Sequence, residues 1–243
     1  LASTDYVAVD GDSGPLRAEF PMEERALQVR SDENMALRAY RNTIAQHRRT
    51  LVERLRATAV DSNAISQGVR QTSSMLWSLQ KTFPHTYASQ LGAAEALSLL
   101  AGWDDSLVVA RAREVEPSSP RYVEVAQIAR RAAARRHGQT AALDLLDAFA
   151  ARAQTVEQRA GIQAARIQLF IDSAQVDAAL STAHRLRNEY PDTKWAEWAK
   201  RVQYEINNLR AGMPAPSFAA RTVEGDSISL LGFAGQPIVL EYF

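Results

Sequence analysis

The sequence predicts a mainly α protein: a long N-terminal helix, then a stack of α-hairpins, then a short β segment at the C-terminal end. Three observations predict it. Residues 22–60 hold neither Gly nor Pro, apolar residues from Leu37 onward recur three and four positions apart, and after Ala211 the Ala, Arg and Glu of the helices give way to Gly, Pro and β-forming residues. At 46% apolar and 23% charged, the 243 residues have the make-up of a folded chain. The balance of 28 basic and 28 acidic side chains argues against nucleic-acid binding by bulk electrostatics. With no cysteine, these residues hold no disulfide, thiolate metal site or cysteine nucleophile. No run approaches the roughly 20 apolar residues of a membrane-spanning helix.

The elements follow in order. Tyr6–Val9 and Leu16–Phe20 flank the turn-forming run Asp10-Gly11-Asp12-Ser13-Gly14-Pro15 and predict a hairpin. That run resembles the start of a calcium loop, but the twelfth position, where a bidentate carboxylate belongs, is Pro21, so turn chemistry is the preferred reading. Pro21 suits a first helical turn, and Leu37, Tyr40, Ile44, His47, Leu51 and Leu55 line one face of a long helix with a break near Ser31-Asp32. Asp61-Ser62 caps a second helix carrying Ile65, Val69, Leu76, Leu79 and Phe83, which Pro84 ends. A third runs from Thr86 to Ala101 and closes on Gly102. A fourth opens at Asp104 and reaches about Val115. Ser119 as cap and Pro120 at the first position begin a fifth that runs to Arg136 and closes on Gly138.

Beyond Gly138 the pattern repeats. Ala141–Leu145 and Ala178–Thr182 open comparable helices 37 positions apart, and Arg159-Ala160 and Trp195-Ala196 recur 36 apart in their partners. Thr155 with Gln158 has the capping-box form, and Pro191-Asp192-Thr193 breaks the chain before a last helix, Lys194–Arg210. Helix pairs at this period resemble a tetratricopeptide-like stack, with a plain α-hairpin bundle as the alternative.

His47 lies on the apolar seam, a place for a metal or tetrapyrrole ligand. His85, His137 and His184 have no i, i+4 partner, so a half-buried histidine bonded to a neighbour is the favoured reading. Arg130, Arg131, Arg135 and Arg136 gather at the end of the fifth helix, where a solvated terminus that complements the helix dipole competes with an interface for an acidic partner or anionic headgroups. Trp195 and Trp198, followed by Val202 and Ile206, read as core packing or as an interface anchor. No Ser-His-Asp triad, phosphate loop or carboxylate pair stands out.

The last segment carries the most specific pattern. Gly212-Met213-Pro214-Ala215-Pro216-Ser217-Phe218 is followed by Glu224-Gly225-Asp226-Ser227-Ile228-Ser229-Leu230 and then by Gly235-Gln236-Pro237-Ile238-Val239-Leu240-Glu241-Tyr242-Phe243. In spacing and order it resembles the entry to the thioredoxin-like domain of the TlpA/ResA and peroxiredoxin-related families, over about the last 32 residues. On its own physics, Pro214 and Pro216 stiffen an extended entry, Phe218 is an anchor, Glu224-Gly225-Asp226 turns between short strands, and Ile238–Tyr242 suits a central strand. The resemblance implies that the place of the family's W-x-x-C-x-x-C motif, where a helix N-terminus activates the first thiol, lies past Phe243. A chain continuing into it implies a reductase or peroxidase-like activity, and one whose next residues lack cysteines implies a non-catalytic relative. These residues then hold no catalytic group and no cofactor.

Phe83-Pro84-His85-Thr86-Tyr87-Ala88 is similar to a helix junction that precedes such domains in envelope proteins. The resemblance implies a periplasmic or cell-envelope protein. A start at Leu1, with no signal-peptide pattern in Leu1–Val9, fits a removed signal or lipid anchor upstream. The implied organisation is an extended or hairpin segment 1–20, a helical domain 21–137 with the long first helix, tetratricopeptide-like hairpins 138–211, and the start of a thioredoxin-like domain 212–243. The leading functional expectation is an exported thiol–disulfide oxidoreductase-like protein whose helical region binds protein partners. The alternative is a non-enzymatic scaffold subunit docked on a larger envelope or membrane complex, such as an energy-converting one. A free-standing repeat adaptor ranks third.

Overall fold

The computed structural model describes residues 31–57 and 59–239. The hairpin expected at Tyr6–Phe20, the helix start at Pro21 and Leu240–Tyr242 of the expected final strand lie outside them.

Among the described residues the chain is mainly α, with eight helices followed by one small sheet. The helices are α1 (Asp32–Arg56), α2 (Ser62–Thr82), α3 (Tyr87–Leu100), α4 (Asp105–Glu114), α5 (Tyr122–Arg152), α6 (Val156–Asp172), α7 (Val176–Glu189) and α8 (Lys194–Asn208). Most begin where a side chain takes over an orphan amide of the first turn. Ser31, Asp61, Thr86, Asp104, Thr155 and Thr193 each accept a hydrogen bond from the backbone two or three residues on. At Thr155 the bond is reciprocated, because the Gln158 side chain accepts from the Thr155 amide at 3.2 Å. The break expected near Ser31-Asp32 is the described start of α1.

The fifth helix departs from the expectation at its start. Ser119 does not cap it. The Ser119 hydroxyl accepts from the Arg121 amide, and the chain makes one more turn before helix geometry begins at Tyr122. Gly138 does end a helical run, but another starts at once, because φ 86° and ψ 178° at this single residue reverse the chain. The two halves of α5 then lie side by side. The Tyr122 hydroxyl donates to the Phe149 carbonyl at 3.0 Å, with the two rings 5.0 Å apart.

Helices adjacent in sequence are neighbours in space, and α1–α3, α3–α5 and α6–α8 also touch. The interior is accordingly divided along the row. One cluster joins Leu76, Leu79 and Ala96 with Tyr40 and Ile44 of α1. The largest runs from Val69 to Leu169 through Leu97, Tyr122, Leu145, Leu146 and Ile162, on both sides of Gly138. A third lies among α6, α7 and α8 around Ile167, Ala183, Leu186 and Val202. A core partitioned in this way belongs to a quasi-one-dimensional helical row. The repeat is visible in it: the second half of α5 and α7 start in equivalent places, and Gln175 donates to Gln139 at 2.7 Å across them.

After α8 the chain forms an antiparallel pair, β1 (Ala219–Arg221) and β2 (Ser227–Ser229), with Ala220 opposite Ile228. A 3₁₀ turn at Leu230–Phe233 follows. Ile238 and Val239 join no ladder, so the described part of the expected final strand has no strand partner among the described residues. A strand is held by its neighbours, and β1 and β2 are paired with each other.

Candidate functional site

The four arginines of the first half of α5 do not form one surface. Positions 130, 131, 135 and 136 are spread around the cylinder, so they meet different neighbours. Arg130 is only 3% exposed and pairs with Asp172 at the end of α6, at 2.7 Å. Arg135 grips Asp105, in the first turn of α4, through two bonds of 2.8 Å, and Arg136 donates to the Ser106 hydroxyl. Arg131 is exposed. These pairs tie α5 to α6 on one side and to α4 on the other. The Arg135 hydrogen bond holds the Asp105 carboxyl below its usual value against the opposing effect of burial, with help from the Gly102 amide. Burial works to raise Asp172. Hydrogen bonds from Arg130 and Gln168 and the charges of Arg130 and Arg131 outweigh it, and that carboxyl also sits low.

Trp195 and Trp198 are half-buried and meet edge to face, with centroids 6.3 Å apart. Both pack on the last core cluster. Trp195 reaches over Gly161 of α6. A Cβ there would stand 3.0 Å from the indole and 2.6 Å from Val123, so glycine lets three segments close on one point.

His47 lies at a cleft between α1 and α2, a cavity of about 170 Å³ lined by Thr43, Gln46, Thr50 and Arg54 on one side and Gly68, Gln71 and Thr72 on the other. Its Nδ1 is 2.9 Å from the Thr72 hydroxyl. Burial, then the charge of Arg54, pushes the imidazole below its ordinary value. Arg54 crosses Gly68 and donates to the Ala64 carbonyl. His47 stands out in the sequence, whereas this cleft does not. Its signals were a polar run on the seam, Thr43, His47, Thr50 and Arg54, facing the one glycine of α2. Among the described residues no group of three or more His, Cys, Asp or Glu gathers as a metal would require, and no helix is long and apolar enough to cross a membrane.

A second missed contact fastens α1. The Glu33 carboxylate accepts from the Tyr87 and Ala88 amides at 2.8 and 2.9 Å, while Thr86 takes the Ser89 amide. Together they satisfy three orphan donors at the start of α3.

The residues of the C-terminal pattern fall in the β segment. Gly212, Gly225 and Gly235 all have φ near +90°, at 86°, 96° and 86°, a region open to glycine. Pro214, Ala215 and Pro216 form an exposed connector without regular secondary structure. Phe218 and Leu230 are half-buried at the base of the hairpin, where the Leu230 amide donates to the Phe218 carbonyl. Gly225 lies in the turn, with its amide on the Thr222 carbonyl and the Thr222 amide on Asp226. Pro237 is exposed.

No protein-family model, curated protein or solved structure matches this chain.

Proposed function

We propose that the helical row is a protein-binding module joined to a thioredoxin-like domain of the TlpA/ResA kind, in an exported, envelope-located protein. The observation that carries this reading is the hairpin Ala219–Ser229. It forms where the Gly-x-Pro-Ala-Pro-x-Phe pattern calls for one, with Gly225 in its turn and Phe218 joined to Leu230 at its base. The tetratricopeptide-like character of the row belongs to the same proposal, supported by the paired helices spaced 37 residues apart. On this reading the redox cysteines lie past Phe243, and the helical row brings a protein substrate or a redox partner to them.

A second reading is favoured by α1. It buries a single residue, Ala36, and leaves its outer side exposed, as suits a scaffold subunit docked through that helix on a larger complex.

Intact mass and peptide mapping of the native polypeptide separate the two. A mass well above 26.8 kDa with a Cys-x-x-Cys peptide, followed by reduction of insulin disulfides, is the result expected for the first reading. A mass near that value overturns it in favour of the scaffold.

A further inference from the structure

The charges of α1 are segregated in a way the rest of the helical row does not repeat. At 100° per residue, Arg38, Ala45 and Val52 share one line along the helix, with Arg41, Arg48 and Leu55 on one flank and Asn42, Arg49 and Arg56 on the other. All nine are exposed. The three acids of α1 lie elsewhere. Glu33 is spent on the start of α3, and Asp32 and Glu53 fall on the line of Gln46, beside the cleft. The result is a stripe about 27 Å long with five arginines and no carboxylate, in a chain whose formal charge is zero. Each line repeats every seven residues, the period at which one helix meets another along its length. The middle line offers Ala45 and Val52 to a partner backbone, and Arg38, Arg48, Arg49 and Arg56 stand where flanking charges select that partner.

We propose that this outer face of α1 is a docking surface for an acidic α-helix of another protein, with carboxylates on both flanks of its own apolar line. Charge complementarity carries the choice of occupant. A second copy would set arginine against arginine. A lipid surface would need an apolar face to insert, and the seam of α1, with Tyr40 and Ile44, is turned onto α2 and α3. The remaining competitor is this chain's own residues 1–21, which hold four acids, Asp5, Asp10, Asp12 and Glu19, against Arg17. The assignment rests on the helical region being a protein-binding module and names its partner class. It is independent of any downstream cysteines, so its failure leaves the intact-mass experiment unaffected.

The test measures fluorescence anisotropy of a labelled four-heptad peptide with leucine at its a and d positions and glutamate at e and g. It is titrated with the whole chain, with Arg48→Glu/Arg49→Glu, and with a control, Lys200→Glu/Arg201→Glu, altered at exposed positions of α8. Phosphatidylglycerol vesicles and a chain lacking residues 1–21 complete the set. The expected result is peptide binding that weakens with salt, falls about tenfold or more in the α1 variant and is unchanged in the control. The proposal is overturned by equal binding of all three proteins, or by no binding at about 100 μM. Tighter binding to the vesicles also overturns it, as does peptide binding that emerges only once residues 1–21 are removed, which makes the chain's own N-terminal segment the occupant.

Discussion

Helices α1 and α6 are both amphipathic, and they are held in opposite ways. The shorter, α6, buries seven of its 17 residues, Ala160, Gly161, Ile162, Ala164, Ala165, Ile167 and Leu169, because α5, α7 and α8 all close on it. The longer, α1, buries one of 25 and, among the helices of the described residues, packs on α2 and α3. Small residues let α6 be approached from several sides. The seam of α1 instead carries Tyr40, Ile44 and His47, half-buried, and point contacts at Glu33, His47 and Arg54 supply what area does not. Among the described residues, α6 is thus the more deeply packed of the two and α1, which presents the arginine stripe, the less.

The comparison breaks most readily through the core. Ile162→Ala removes a fully buried side chain and should cost about 2–5 kcal/mol. Ile44→Ala, at a half-buried position of α1, should cost less than half as much, because the site can collapse toward solvent. Denaturant midpoints of the two variants measure the ratio, and equal losses would show that α1 is as integral as α6.

A smaller effect sharpens the account of how α1 is fastened. Glu33→Ala strips two amides at the start of α3 of their acceptor and should cost about 1 kcal/mol. Hydrogen exchange should quicken at Tyr87 and Ala88 and along α1 while α6 stays protected. Faster exchange in α6 would contradict a divided core.

The smallest effect is one of pH, and it separates the two helices by window. His47 is depressed in the folded state, so the unfolded chain takes up its proton first, near pH 6.5. Stability from the neutral ring is complete above that value and declines as pH falls from there through the folded value. Asp172, at the end of α6, is a depressed carboxyl. Its contribution is complete above about pH 3.9 and is lost as pH falls further, through its lower folded value. Residue-resolved exchange should therefore show α1 loosening at mildly acidic pH while α6 holds until stronger acid. His47→Gln should flatten the upper window alone.

Much of the helical row was legible in the amino-acid order. Asp61, Thr86, Asp104, Thr155 and Thr193 are capping residues whose hydrogen bonds span two or three positions, so the information needed to place them is local. Gly102 and Gly138 were readable for the same reason, since each supplies a positive φ. The misses have a common origin. Arg130 looked like one of four helix-end cations, yet it is buried against Asp172, 42 residues along the chain. Glu33 gave no sign that it would serve Tyr87, 54 residues on. The start of α5 was displaced by an extra turn after Pro120, and Ile238-Val239 reads as a strand but finds no ladder among the described residues.

By itself, then, the sequence determined the helices, their caps, the 37-residue repeat and the change of texture at Gly212, because each is written in contacts within a turn or two. Only the tertiary structure decided which charges are spoken for. Arg130 and Arg135 are bound to carboxylates from other helices, while Arg38, Arg48, Arg49 and Arg56 of α1 stay on an exposed face. A side chain's partner depends on which helices come to lie side by side, and that is settled by packing across tens of residues.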